Sequence, residues 1–142
     1  MEAAGAASGS TVSIKNSDIV STQGAVYGIR ADTITDSTFE LRDSNVKAEG
    51  DTNGDAGGLV AENASGNTGV LGGKLSFIAP VGSLDVIRAF ARGTENTGWF
   101  DHVEISVPLL YFVHAERRAN NNSLLVEGGT INADLRCAES DQ

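Results

Sequence analysis

Cysteine occurs once in this 142-residue chain, proline twice, and aromatic residues make up only 6%. A single thiol, Cys137, excludes an internal disulfide, and its place near the end of the chain reads as a spare thiol rather than a nucleophile. Basic residues are scarce too: 10 Lys and Arg stand against 19 Asp and Glu, a net charge of −9. Such a chain lacks the attraction that drives non-specific binding to nucleic acid or to anionic membrane surfaces. The longest apolar run, Val107 to Val113, is far shorter than the roughly 20 residues that span a bilayer, so no membrane insertion is expected. Nothing resembles a nucleophile elbow, a phosphate loop, a Cys/His zinc set or a charged-then-apolar signal peptide.

Glycine is plentiful, with 17 residues. Together with abundant Ser, Thr, Asn and Asp it predicts many tight turns between short strands. A spaced pattern returns along the chain: apolar, skip one, apolar, skip two, Ser or Gly, skip one, apolar. Val12, Ile14, Ser17 and Ile19 match Phe39, Leu41, Ser44 and Val46, with Ser10-Thr11 before the first copy and Ser37-Thr38 before the second. Weaker copies start at Leu71, Phe100 and Leu124, giving intervals of 27, 32, 29 and 24 residues by subtraction. Repeats of this length built from strands and turns predict a stacked architecture, because one repeat cannot bury its apolar face alone.

The first copy reads as a coil. Thr11–Ile14 alternates as a strand with Val12 and Ile14 inward, Asp18–Ser21 is a second strand, and Ala25–Ala31 a third. The expected interior columns are Val12, Phe39, Leu71, Phe100, Leu124 and Ile19, Val46, Ile78, Val107, Ile131. About five rungs are expected over residues 10–142 as one domain, preceded by a flexible Ala/Gly/Ser leader at 1–9. A competing α+β reading makes helices of Ser83–Gly93, with Ser83 as N-cap and Leu84, Ile87 and Ala91 on one face, and of Leu109–Ala119.

Val12-Ser13-Ile14-Lys15-Asn16-Ser17-Asp18-Ile19, followed by Tyr27-Gly28-Ile29-Arg30-Ala31, resembles a rung of the right-handed parallel β-helix superfamily. The likeness spans about residues 10–133 and is nearest to the repeats of bacterial autotransporter passenger domains, with similar rungs in phage tailspikes and polysaccharide lyases. The resemblance implies an all-β solenoid with an extracellular or cell-surface setting. Two functions follow from it: a non-catalytic structural or adhesive module that presents a surface to a protein partner or glycan, or a carbohydrate-active enzyme on the same scaffold. The second needs clustered acids, and the only dense set is Asp85, Asp101, His102 and Glu104, with His102 falling at an inward position of the fourth rung.

Other features carry smaller expectations. Asp51, Asn53 and Asp55 alternate as the first half of a calcium loop does, although the loop glycine is displaced by one. No other cofactor is implied. Lys15, Arg42 and Lys74 fall at one rung position and Arg30, Arg88 and Arg118 at another, interrupted by Val60, with Asn16, Asp43 and Glu104 beside the first set; a solvated, charge-balanced face is expected. Asn63-Ala64-Ser65 and Asn121-Asn122-Ser123 match the glycosylation pattern and are given no role. Strict alternation through Val107–Val113 would leave half of that run outside, which predicts a homo-oligomer, most simply a symmetric dimer, through Leu109, Tyr111 or Val113.

Overall fold

The computed structural model describes residues 4–22, 26–48, 56–78 and 83–140. Fourteen strands run through them: β1 (Ala6–Ser8), β2 (Thr11–Lys15), β3 (Asp18–Ser21), β4 (Val26–Thr35), β5 (Thr38–Arg42), β6 (Asn45–Ala48), β7 (Ala56–Ser65), β8 (Thr68–Lys74), β9 (Ser76–Ile78), β10 (Ser83–Thr94), β11 (Thr97–Ala115), β12 (Arg118–Asn120), β13 (Ser123–Glu127) and β14 (Thr130–Ser140). The pairings among them are parallel, and each strand pairs with its equivalent one coil away. The chain is therefore an all-β solenoid of about four turns, slightly fewer than five rungs. Equivalent corner residues lie 27, 30, 29 and 26 residues apart.

Ser83–Gly93 and most of Leu109–Ala119 are strand, and no helix occurs among the described residues. The helical signal has a physical origin. Along β10 the buried apolar residues Leu84, Val86, Ile87 and Ala89 are spaced two, one and two apart. Two successive inward residues, Val86 and Ile87, require the strand to turn a corner of the coil there. That slip in alternation puts Leu84 and Ile87 three apart, the spacing of an amphipathic helix. The same slip occurs in β11 at Phe112–Val113. Within the segment assigned to a leader, Ala6–Ser8 is a strand paired with Thr33–Thr35 of β4.

The interior columns differ from the expected ones. Val12 stacks on Phe39, then Gly69, Gly98 and Leu124; Ile14 stacks on Leu41, Leu71, Phe100 and Val126. Leu71 and Phe100 thus belong to the neighbouring column, because glycine occupies the position where an apolar side chain was sought. Ile19 and Val46 do stack, but Phe77 follows them in register and Ile78 is exposed. The glycines have a packing reason. Across the core from Phe39 lie Gly28 and Gly58, and a Cβ on Gly58 would sit 2.3 Å from the Phe39 ring. Deeper in the stack the bulk changes sides: a Cβ on Gly69 would meet Val86 at 2.6 Å, and one on Gly98 would meet Phe112 at 2.8 Å. Phe112 also packs edge-on to Phe100, with centroids 6.5 Å apart. Each close approach across the core thus sets one bulky side chain against a glycine, as dense packing demands.

Two corners are built from single left-handed residues. One column is Gly9, Asp36, Gly66, Glu95 and Asn121; the other is Asn16, Asp43, Gly73, His102 and Gly128. Glycine, with no Cβ, adopts that conformation freely, and among L-residues Asn and Asp tolerate it best. Beside the first column runs a polar ladder directed into the coil. Ser10 N–H donates to Ser37 Oγ at 3.2 Å, Ser37 N–H to Asn67 Oδ1 at 2.9 Å, Asn67 N–H to Asn96 Oδ1 at 3.0 Å and Asn96 N–H to Asn122 Oδ1 at 3.0 Å. The Asn side chains also donate to the carbonyls of Ile34, Ala64 and Gly93. Asn67 and Asn96 are fully buried, and these bonds meet the requirement that buried amides be paired.

Candidate functional site

Alternation along β2, β5, β8, the first part of β11 and β13 turns every second side chain outward. One outward column is Ser13, Glu40, Val70, Trp99 and Leu125; the next is Lys15, Arg42, Gly72, Asp101 and Glu127. Val70, Trp99 and Leu125 form an apolar stripe in which Trp99 is 39% and Leu125 56% exposed. Trp99 is held in place: its Nε1–H donates to Glu127 Oε2 at 2.8 Å, and the Arg42 guanidinium lies 5.7 Å from its ring centroid. Arg42 reaches Asp101 Oδ2 at 2.9 Å by passing over Gly72, where a Cβ would lie 2.1 Å from the guanidinium. Glu40 accepts from Arg42 at 2.6 Å, from Ser13 at 2.8 Å, and pairs with Lys15 at 2.9 Å. These donors, Arg42 first, hold the Glu40 carboxyl down at about 2. His102 and then Arg42 hold Asp101 below its ordinary value, and the two carboxylates raise Arg42. The expected charge balance of this column is present, with different members: Gly72 follows Arg42, and Lys74 pairs in register with Glu104.

A second polar site lies outside the bend in β4, β7, β10, β11 and β14. Residues three apart meet across it in every coil. Arg30 lies 5.4 Å from the Tyr27 ring, Val60 fills the space over Gly57, Arg88 pairs with Asp85 at 3.2 Å, His114 stacks on Tyr111 at 4.3 Å, and Arg136 pairs with Glu139. Asp85 is 3% exposed, and its Oδ2 also contacts His114 Nδ1 at 3.1 Å. Burial, then the Glu139 carboxylate, push the Tyr111 hydroxyl up from its ordinary value. The column expected to run Arg30, Val60, Arg88, Arg118 runs Arg30, Val60, Arg88, His114, Glu139, so Val60 stands where it was placed and Arg118 stands beside Arg92 instead.

The three acids and one histidine singled out as catalytic candidates are not all brought together. Asp85 belongs to the buried bend. Asp101 and His102 meet at 2.8 Å on the other face, where the His102 side chain is 74% exposed and outward rather than inward. Glu104 is exposed on β11 beside Lys74 and Thr130. Asp51, Asn53 and Asp55 lie outside the described residues, and among the described residues no cluster of three or more His, Cys, Asp or Glu could hold a metal ion. The surface invoked for a dimer is not there: Tyr111 and Val113 are buried within the chain and Leu109 is half-buried, because the β11 strand changes register between Ser106 and Leu109 and turns its corner at Phe112–Val113.

Two groups escaped sequence reasoning. Asn67, Asn96 and Asn122 occupy the place of Ser10 and Ser37, each just before Thr or Ser, so the flanking pair did carry the signal once Asn and Ser are treated as equivalent acceptors. Trp99 was hidden by the two-residue slip of Phe100. No family model matches the chain, and neither does any curated protein or solved structure. Among the described residues no helix is long and apolar enough to cross a membrane.

Proposed function

We propose that the chain is a non-catalytic adhesive module whose Trp99 face docks a glycan. The observation that carries this reading is the exposed indole of Trp99, fixed by Glu127 and Arg42 on a rigid sheet between Val70 and Leu125. An immobilised aromatic plane binds a sugar ring at small entropic cost, and the rim of Glu40, Arg42, Asp101 and Glu127 supplies hydrogen-bonding partners for hydroxyls. The resemblance of the first rungs to passenger-domain and tailspike repeats agrees with an adhesive, extracellular role. A carbohydrate-active enzyme needs two carboxylates converging on one cleft; Asp85 and Asp101 stand on different faces, and both oxygens of Asp101 are engaged.

A glycan array run beside a polysaccharide depolymerisation assay tests the reading. The expected result is binding to a subset of glycans, lost in Trp99→Ala, without product release. Depolymerisation abolished by Asp101→Asn would replace it with the enzyme reading, and silence on the array with capture of a protein ligand through Trp99 would replace the glycan with a protein partner.

A further inference from the structure

We propose that copies of this chain stack end to end, the last coil of one seating on the first coil of the next, to form open filaments. Three observations point to the same occupant. The first is register. β1, at Ala6–Ser8, stacks on Thr33–Thr35 of β4, and the same column runs on through β7 and β10 to Arg118–Asn120 of β12. A second copy placed one strand spacing beyond would set its β1 on β12, its β2 on β13 and its β4 on β14. Among the described residues β12, β13 and β14 each have a partner strand on one side only, which leaves the other edge open to such pairing.

The second observation is charge. The column Lys15, Arg42, Gly72, Asp101, Glu127 is basic at the first coil and acidic at the last, and so is the column Arg30, Val60, Arg88, His114, Glu139. Stacking sets Glu127 of one copy on Lys15 of the next and Glu139 on Arg30. Arg136, which lies over Tyr111 within the chain at 5.7 Å, would meet Tyr27 in the same way. The third is the corner ladder. Asn122 N–H would donate to Ser10 Oγ of the next copy, as Ser10 N–H donates to Ser37 Oγ within one. The apolar ends also match: Val12, Ile14 and Ile19 at the first coil are only partly covered, as are Leu124, Ile131 and Leu135 at the last, where Val126 is 43% exposed. This contact joins unlike surfaces along one axis, so it propagates rather than closing into a dimer.

Sedimentation velocity and negative-stain imaging of the 142-residue chain over a wide concentration range test the proposal. The expected result is a mass that grows with concentration and rods of one width. Cys137, exposed in the column of Gly28, Gly58, Val86 and Phe112, should lose alkylation rate at least tenfold in the assembled state. Val126→Lys should abolish assembly while the chain stays folded by circular dichroism. Glu127→Lys should raise the assembly concentration more than tenfold, and Lys15→Glu combined with Glu127→Lys should restore it. A mass of 14.7 kDa at every concentration, a closed dimer of finite mass, or assembly indifferent to Val126→Lys would each overturn it.

Discussion

The first two coils and the last two fill the same core from opposite sides. In the first half the bulk is Phe39, facing Gly28 and Gly58; in the second half it is Val86 and Phe112, facing Gly69 and Gly98. The halves also differ at the corner, where Ser10 and Ser37 give way to Asn67, Asn96 and Asn122. Stacking therefore conserves the facing of bulk against glycine and the hydrogen-bond geometry of a coil rather than the residue at a position. A column whose members read Val, Phe, Gly, Gly, Leu is regular in three dimensions and irregular in sequence.

The strongest way to break the comparison is at Phe112. Phe112→Ala should cost about 3–5 kcal/mol in denaturant unfolding, by lost burial plus cavity. Gly98→Leu alone should overpack against the same ring and cost about 1–3 kcal/mol. Together they should recover part of the loss, because the volume has only moved across the core; a coupling below about 0.5 kcal/mol in the double-mutant cycle would refute the exchange.

The corner gives the next largest effect. Asn96→Ala removes the acceptor of the buried Asn67 N–H and should cost about 1–3 kcal/mol. Ser37→Ala, in the first half, should cost about 1 kcal/mol, since Ser10 is only half-buried. Equal losses would mean that the two corner types are interchangeable.

Charge separates the halves more gently. Glu40 has its pKa lowered on folding, so its contribution is present above the ordinary carboxylate range and is lost as pH falls from about 4.5 to about 2. A melting-temperature profile of Glu40→Gln should be flatter than the parent over that window, and an identical slope would show that the Arg42 and Lys15 contacts do not persist in solution. The smallest stability change is expected on the exposed stripe. Leu125→Ala, at a side chain 56% exposed beside Trp99, should shift unfolding by about 0.5 kcal/mol or less while weakening glycan binding, which keeps binding and folding separable.

Coil length, strand order and the inward direction of Val12, Ile14, Phe39, Leu41 and Val46 were legible in the sequence, because the first two coils keep large side chains in phase. Register became illegible at Leu71 and Phe100. There Gly69 and Gly98 occupy the true positions, and the reason for them lies across the core in Val86 and Phe112, distant in sequence. The candidate site was legible in composition and not in grouping. Asp85 and Asp101 are 16 residues apart by subtraction, yet the corner at Val86–Ile87 sends them to different faces. Arg42 and Asp101 are 59 residues apart and touch, because Gly72 between their coils has no side chain to separate them.

The stacked asparagines have an electrical consequence. In each of Asn67 and Asn96 the carbonyl oxygen accepts from the preceding coil, while the amide nitrogen donates both to the next asparagine and to a backbone carbonyl of the preceding coil. The side-chain dipoles are thus in series, and each polarises the next. The buried row behaves as a short electret lying along the rod, negative towards the amino-terminal coil. That moment opposes the far larger one of the charge columns, which run from Lys15 and Arg30 at the first coil to Glu127 and Glu139 at the last, so replacing Asn96 by alanine should leave transient electric birefringence unchanged or slightly raised.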